Sequence, residues 1–232
     1  MTRFASALGA ALLTAAVTPA LAAAAQVQLG VTASPIVAPT CPAGLPASQC
    51  DIVLAQSTAL ATMRDGVAYP TRVKQAGEVV SFTVGIAALS SNAAQRRTYV
   101  SGLNTRWGGA PSLELTVLRP VGSASHFRWS VAGQSRPVNL TRFLGRIVEF
   151  PLNASIPVVP GEVVALTSPT WAPVLSIQQP TAKFAYRQSR RASCTGLSSM
   201  QQMTVIGQRA TFGCAYAGTR VEYAASEILS PS

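Results

Sequence analysis

The chain has 232 residues, 48% hydrophobic and 11% charged, with 18 Lys plus Arg against 8 Asp plus Glu and one His, a formal net charge of +10. That balance excludes a disordered chain, which joins low hydrophobicity to high net charge. One His and few carboxylates also leave little from which acid–base or metal chemistry is usually assembled.

Residues Met1 to Ala25 have the form of a secretory signal peptide. Arg3 precedes an apolar run around Ala7 to Val17, then come Pro19, the small-residue pattern Ala20-Leu21-Ala22 and a second candidate cut at Ala23-Ala24-Ala25. Cleavage is expected after Ala22 or Ala25. The alternative, an uncleaved anchor, needs roughly 20 apolar residues, more than the run provides. No Arg-Arg pair precedes the run and the first cysteine is Cys41, so the general secretory route is expected, without a lipid anchor. No later stretch reaches membrane-span length. The sequence therefore predicts a secreted protein, extracellular or held at the cell envelope, with no transmembrane segment in the mature chain. Losing Arg3 leaves 17 basic against 8 acidic side chains, a net of +9.

Residues 26–232 are one domain's worth of chain. Short apolar alternations, punctuated by Pro, Gly and Ser, predict strands. Val80, Phe82, Val84 and Ile86 fall on one face, with Val79, Ser81, Thr83 and Gly85 on the other. A short helix is the only one suggested beyond the signal, around Ala87 to Arg96. Leu113, Leu115 and Val117 then share a face opposite Glu114 and Thr116. Phe127, Trp129 and Val131 oppose His126, Arg128 and Ser130. Val148, Phe150 and Leu152 continue the pattern, followed by Val163 to Leu166, Val174 to Ile177, Val205 onward, Phe212 to Tyr216 and Val221 to Tyr223. Such spacing predicts an all-β, antiparallel β-sandwich or barrel. The segment Gly77-Glu78-Val79-Val80-Ser81-Phe82-Thr83 is echoed by Gly161-Glu162-Val163-Val164-Ala165-Leu166-Thr167. The echo reflects either a duplication or the recurrence of a turn glycine before a Val-rich strand.

Four cysteines, Cys41, Cys50, Cys194 and Cys214, suit disulfides in an oxidising compartment. Three pairings are possible. Closure of short loops favours Cys41 with Cys50 and Cys194 with Cys214. No Cys-x-x-Cys and no second His complete a zinc site, so no metal and no cofactor is expected.

The run from Cys41 to Cys50, then Asp51-Ile52-Val53-Leu54-Ala55-Gln56, Gly77 to Phe82, Leu113 to Pro120 and Ile156 to Leu166 resembles a group of uncharacterised exported β-sandwich proteins of actinobacteria. The resemblance spans nearly the whole mature chain and rests on strand and turn signatures. It implies a jelly-roll-like sandwich closed by a strand at Arg220 to Ala225, and it carries over no functional residue.

Catalytic groups are sparse. His126 alternates with Arg128 on a polar strand face, and neither a nucleophile nor an orienting carboxylate can be assigned to it. The serine beside Gly102 lacks a Gly-x-Ser-x-Gly context. Glu114 and Glu149 both sit in strand runs, and a cryptic glycoside hydrolase would require such a pair in one cleft. Binding is the stronger expectation. Trp107 follows Arg106 and precedes Gly108-Gly109, and Trp171 lies in Pro169-Thr170-Trp171-Ala172-Pro173. Either indole could stack on a sugar ring, with Arg106 hydrogen-bonding hydroxyls, or could plug an end of the sandwich. Trp129 alternates with core residues. The run Arg187-Gln188-Ser189-Arg190-Arg191 offers either a solvated loop or attraction to an anionic surface. Nucleic acid is not expected, because no aromatic stacking motif accompanies the basic residues. The sequence thus predicts a non-catalytic exported protein whose partner is an extracellular polysaccharide or anionic cell-wall polymer. The alternatives are a structural surface protein without a discrete ligand and the hydrolase; no feature sets the oligomeric state.

Overall fold

The structure, a computed structural model, describes residues 25–45, 49–122, 128–190, 194 and 199–231. Residues 1–24 of the expected signal peptide, His126 and Arg191 lie outside the described residues. In chain order the elements are β1 (Gln26–Leu29), β2 (Leu54–Arg64), β3 (Val67–Ala68), β4 (Gly77–Gly85), α1 (Ala93–Trp107), β5 (Ser112–Pro120), β6 (Arg128–Gln134) and β7 (Val138–Asn139). A 3-10 turn (Thr141–Phe143) leads into β8 (Ile147–Val158), β9 (Val163–Ala172), β10 (Leu175–Ser176), β11 (Ala185–Gln188), β12 (Arg209–Thr211), β13 (Cys214–Ala217), β14 (Arg220–Val221) and β15 (Tyr223–Leu229).

Among the described residues these strands make an antiparallel β-sandwich. The smaller sheet runs β1-β15-β4-β8 and the larger β12-β6-β5-β9-β2-β11-β13, with β3 on β2, β7 on β5 and a separate β10-β14 pair. The strand expected at Arg220 to Ala225 is split: Arg220–Val221 form β14 and pair with β10, while β15 sits between the N-terminal β1 and β4. The two sheets bury one shared core. Phe82, Val84, Phe150 and Tyr223 of the smaller sheet meet Leu54, Leu113, Leu115, Val164 and Leu166 of the larger. Phe150 packs on Phe82 and Phe143 at ring separations of 5.4 and 5.2 Å. Each such fully buried side chain contributes about 1.5–3 kcal/mol relative to exposure.

Alternation located β4, β5, β6, β8 and β9 but did not single out β1, the central β2 or β11, and it slipped in phase in β4. A bulge between Val79 and Ser81 against β8 shifts the phase, so Val79 joins Phe82, Val84 and Ile86 in the core while Val80 is only half-buried. The echoed glycines also differ in role. Gly161 takes φ +93° in a turn, whereas at Gly77 an added Cβ would stand 2.5 Å from the Ile228 carbonyl. The two Val-rich strands they precede lie in different sheets, which favours neither an equivalent pair of strands nor a shared turn.

The larger sheet is covered on its outer face as well. Leu60, Leu118, Trp129, Val163, Met203 and Phe212 form a second cluster beneath the segment 199–212, and Ala55, Trp107 and Trp171 form a third beneath α1. Glu114 and Thr116, which alternation would place in solvent, are therefore buried.

Between β1 and the first disulfide the chain is held by side chains rather than by a sheet. The buried Arg64 guanidinium donates to the carbonyls of Gly30, Tyr223 (2.8 Å) and Val221 (2.6 Å). Asp65 accepts from the hydroxyls of Thr32 and Ser34, each at 2.6 Å. Arg220 donates to the carbonyls of Ser34 and Pro35 and pairs with Glu222, which accepts from Ser176 Oγ and from the Val37 N–H. The segment passes so close to β4 that a Cβ at Gly85 would fall 1.8 Å from the Val37 carbonyl oxygen.

Candidate functional site

Helix α1 builds one side of the site. Asn92 caps it by accepting from the N–H groups of Ala94 (2.9 Å) and Gln95 (3.0 Å), and Gly108 ends it in the left-handed region at φ 76°. The helix is 15 residues long and begins where the sequence-based candidate around Ala87 to Arg96 was about to end. Its apolar residues do not recur with helical period, which is why the pattern underestimated it. It docks through its C-terminal end instead. Trp171 Nε1 donates to Asn104 Oδ1 (3.1 Å) and to the Gly109 carbonyl (3.0 Å), fastening the end of α1 to β9.

On the other side β11 and β13 pair so that Tyr186 faces Tyr216. Their rings stack at 4.9 Å with an interplanar angle of 17°. Gln188 bridges them, donating from Nε2 to Tyr186 Oη (2.9 Å) and accepting from the Tyr216 hydroxyl (3.3 Å). Burial raises both phenol pKa values above their ordinary value, so both remain neutral donors and acceptors at physiological pH.

Between these walls lies a cleft of about 990 Å³. Tyr99, Leu103, Arg106 and Trp107 line it from α1, and Tyr186, Gln188, Arg190 and Tyr216 line it from the opposite side. Cys41, Cys50 and Asp51 border it, as do Cys194 and Met200. Both disulfides, Cys41–Cys50 and Cys194–Cys214, thus stand at its edge, with the pairing expected from the short loops. A volume of this size is at the upper end for small-molecule sites.

The sequence-based candidates separate here. Arg106 and Trp107 do line the cleft, and the guanidinium carbon lies 4.9 Å from the indole centroid. Trp107 is only 8% exposed, so the freely accessible groups on that wall are Arg106 and part of Tyr99. Trp171 is wholly buried, and its place is in strand β9 rather than a loop. It offers no ring face to a ligand and acts instead as the post that holds α1.

The basic run does not form a free positive patch either. Arg187 Nη1 donates to the carbonyls of Phe212 (2.9 Å) and Gly213 (3.2 Å). Arg190 is 7% exposed and donates from Nη1 to the Cys194 carbonyl (2.5 Å), while its Nε has no hydrogen-bond partner among the described residues.

Tyr99, Tyr186, Tyr216, Gln188 and Asp51 were not singled out by sequence reasoning. The available signal was the alternation Ala185-Tyr186-Arg187-Gln188 together with Cys214-Ala215-Tyr216. Pairing those two segments across the second disulfide would have brought the tyrosines side by side.

Glu114 and Glu149 do not share the cleft. Glu149 lies on β8 and accepts from Ser81 Oγ, whereas Glu114 lies on β5 of the other sheet. Asp51 is the single carboxylate among the cleft's described lining residues. Among the described residues no group of three or more His, Cys, Asp or Glu side chains could hold a metal ion, and no helix is long and apolar enough to cross a membrane. Comparisons with protein-family models, curated proteins and solved structures find no match to the chain.

Proposed function

We propose that this protein is an exported, non-catalytic binding module whose cleft between α1 and the β11–β13 pair holds a segment of an extracellular glycan at or near the cell envelope. The observation that carries this reading is the cleft's lining. Partly exposed aromatic rings, Tyr99 and Tyr216, stand on the two walls, backed by the buried Trp107 and Tyr186, and Arg106 and Asp51 are exposed planar polar groups that line the same cleft. Sugar rings present apolar faces and hydroxyl edges, and a site for them combines ring surfaces with bidentate hydrogen-bonding groups. Two disulfides and the leader-like sequence at Met1 to Ala25 support an exported protein.

Affinity electrophoresis through gels containing soluble wall and extracellular polysaccharides tests the reading. Wild type is expected to be retarded by at least one glycan. Tyr216→Ala removes a half-buried ring at the margin of the main core, and, at a temperature where the variant stays folded, should weaken retention about tenfold, equivalent to about 1.4 kcal/mol. Absence of retardation on every glycan, or retention unchanged by Tyr216→Ala and Tyr99→Ala together, would overturn it in favour of a structural surface protein.

A further inference from the structure

The flank of α1 away from the cleft carries a second depression of about 420 Å³, lined by Arg96, Arg97, Ser101, Thr105 and Thr141 among others. Its lining contains no carboxylate. Between Glu78 and Glu149 the sequence has a single acidic residue, Glu114, and that residue is buried. Arg97 is exposed, with no hydrogen bond or ion pair to a described residue, and Arg142 is exposed on the 3-10 turn that borders the depression. Among the described residues the Arg96 side chain is tethered only by Nη1 to the Ser90 carbonyl, at 3.3 Å.

Helix geometry joins this depression to the cleft. Arg97 and Arg106 are nine positions apart, which places them on opposite flanks of α1 and about 14 Å apart along its axis. The outward surface between them is low. Thr98, Ser101, Gly102 and Thr105 are exposed and short, and an added Cβ at Gly102 would meet nothing within 4 Å. A mid-helix glycine weakens a helix relative to most other residues. Here it keeps the crossing open.

Resting on the reading of the cleft as a glycan site, we propose that the glycan is an acidic polysaccharide bearing carboxylates, and that it passes over α1 from the cleft into the Arg96–Arg97 depression. Arg106 meets a carboxylate at the cleft mouth and Arg97 meets another on the far flank. The aromatic walls select sugar rings, and the guanidinium groups, each presenting planar paired donors, select carboxylates on those rings. Because these arginines are solvent-exposed, their contribution is screened by salt.

Isothermal titration of the mature protein with a polyuronate, a neutral polysaccharide of similar chain length and inorganic polyphosphate, each at low and high salt, tests this. The variants are Arg96→Gln/Arg97→Gln and Gly102→Glu. The second places a negative charge on the crossing while improving helix propensity, so it should fold at least as well as wild type. Both variants are expected to bind polyuronate about tenfold more weakly at low salt, with a shallower salt dependence and an unchanged melting temperature or, for Gly102→Glu, a higher one. Polyuronate affinity unchanged in both variants overturns the proposal, as does polyphosphate binding as tightly as polyuronate. If the neutral polymer binds wild type as tightly as the polyuronate and is lost with Tyr216→Ala, the glycan site stands and its acidic specificity fails. If no sugar polymer binds, both readings fail.

Discussion

Glu114 sits between Leu113 and Leu115 on β5, opposite Thr167 of β9, on a sheet face that α1 and the segment 199–212 cover. Among the described residues no side chain hydrogen-bonds or ion-pairs with it. Burial therefore raises its pKa from the ordinary 4.5 to about 7. Between those values the folded chain holds a proton that the unfolded chain has released, so this residue's contribution to stability declines as pH rises from about 4.5 to about 7 and is flat above. Glu114→Gln keeps the shape without the charge. At pH 8 the variant should be more stable than wild type by about 1–3 kcal/mol, and at pH 4 the two should be nearly equal. Thermal melting at both pH values reads the difference, and parallel pH profiles for the two proteins would contradict it.

At the scale of elements, the segment between β1 and Cys41 is held in place by Arg64, Asp65, Arg220 and Glu222 although it pairs with no strand. Asp65 is the most accessible of these clamps, and its hydrogen bonds from Ser34 and Thr32 hold its carboxyl down to about 2. A depressed carboxyl stabilises the fold above its unfolded value near 3.8, and that stability is lost as pH falls from there through about 2. Asp65→Asn should leave the two sheets folded but let residues 31–40 detach. Limited proteolysis at neutral pH is then expected to cut this segment several-fold faster than in wild type, and an unchanged cleavage rate would show that Arg220 and Glu222 suffice. None of these clamps follows a sequence period, so none was legible beforehand. Strands such as Leu113-Leu115-Val117 and Trp129-Val131 were legible, because a face buried against one core leaves a two-residue alternation. Helix α1 was legible only in its first turn, where it overlaps the candidate around Ala87 to Arg96, because it is held by caps and by the Trp171 indole rather than by an apolar stripe. In the site, Trp107 and Arg106 were found from their local sequence, whereas Tyr186 and Tyr216 become neighbours only once β11 and β13 pair. Trp171 shows the converse: its Pro-flanked sequence suggested a loop, and cover from α1 placed it in the interior.

For the molecule as a whole, the sandwich and the cleft depend on different forces. The two sheets bury a continuous apolar core, while the cleft lies at its margin, lined partly by the core residues Leu175 and Tyr186 and partly by α1 and the segment leading into β2, which are laid over the larger sheet. The two disulfides fall at that margin, closing sequence separations of 9 and 20 residues. By the chain-entropy account each contributes about 3 kcal/mol by restricting the unfolded chain. In the folded state Cys194–Cys214 also fixes the end of β13 beside Tyr216 and holds the carbonyl that receives Arg190. Removing it with Cys194→Ala/Cys214→Ala should lower the melting temperature by about 6–12 °C, the shift that 3 kcal/mol produces in a chain of this size. Well below that temperature the sandwich should keep its far-ultraviolet β signal, while glycan affinity falls by more than tenfold because the Tyr216 wall is no longer held against α1. The Cys41–Cys50 bridge borders the cleft but lies outside the β11–β13 pair that carries the tyrosines, so in Cys41→Ala/Cys50→Ala the affinity should fall less for a similar loss of stability. Equal affinity losses in the two variants would mean that binding follows global stability, and undiminished affinity in both would place the glycan elsewhere on the molecule.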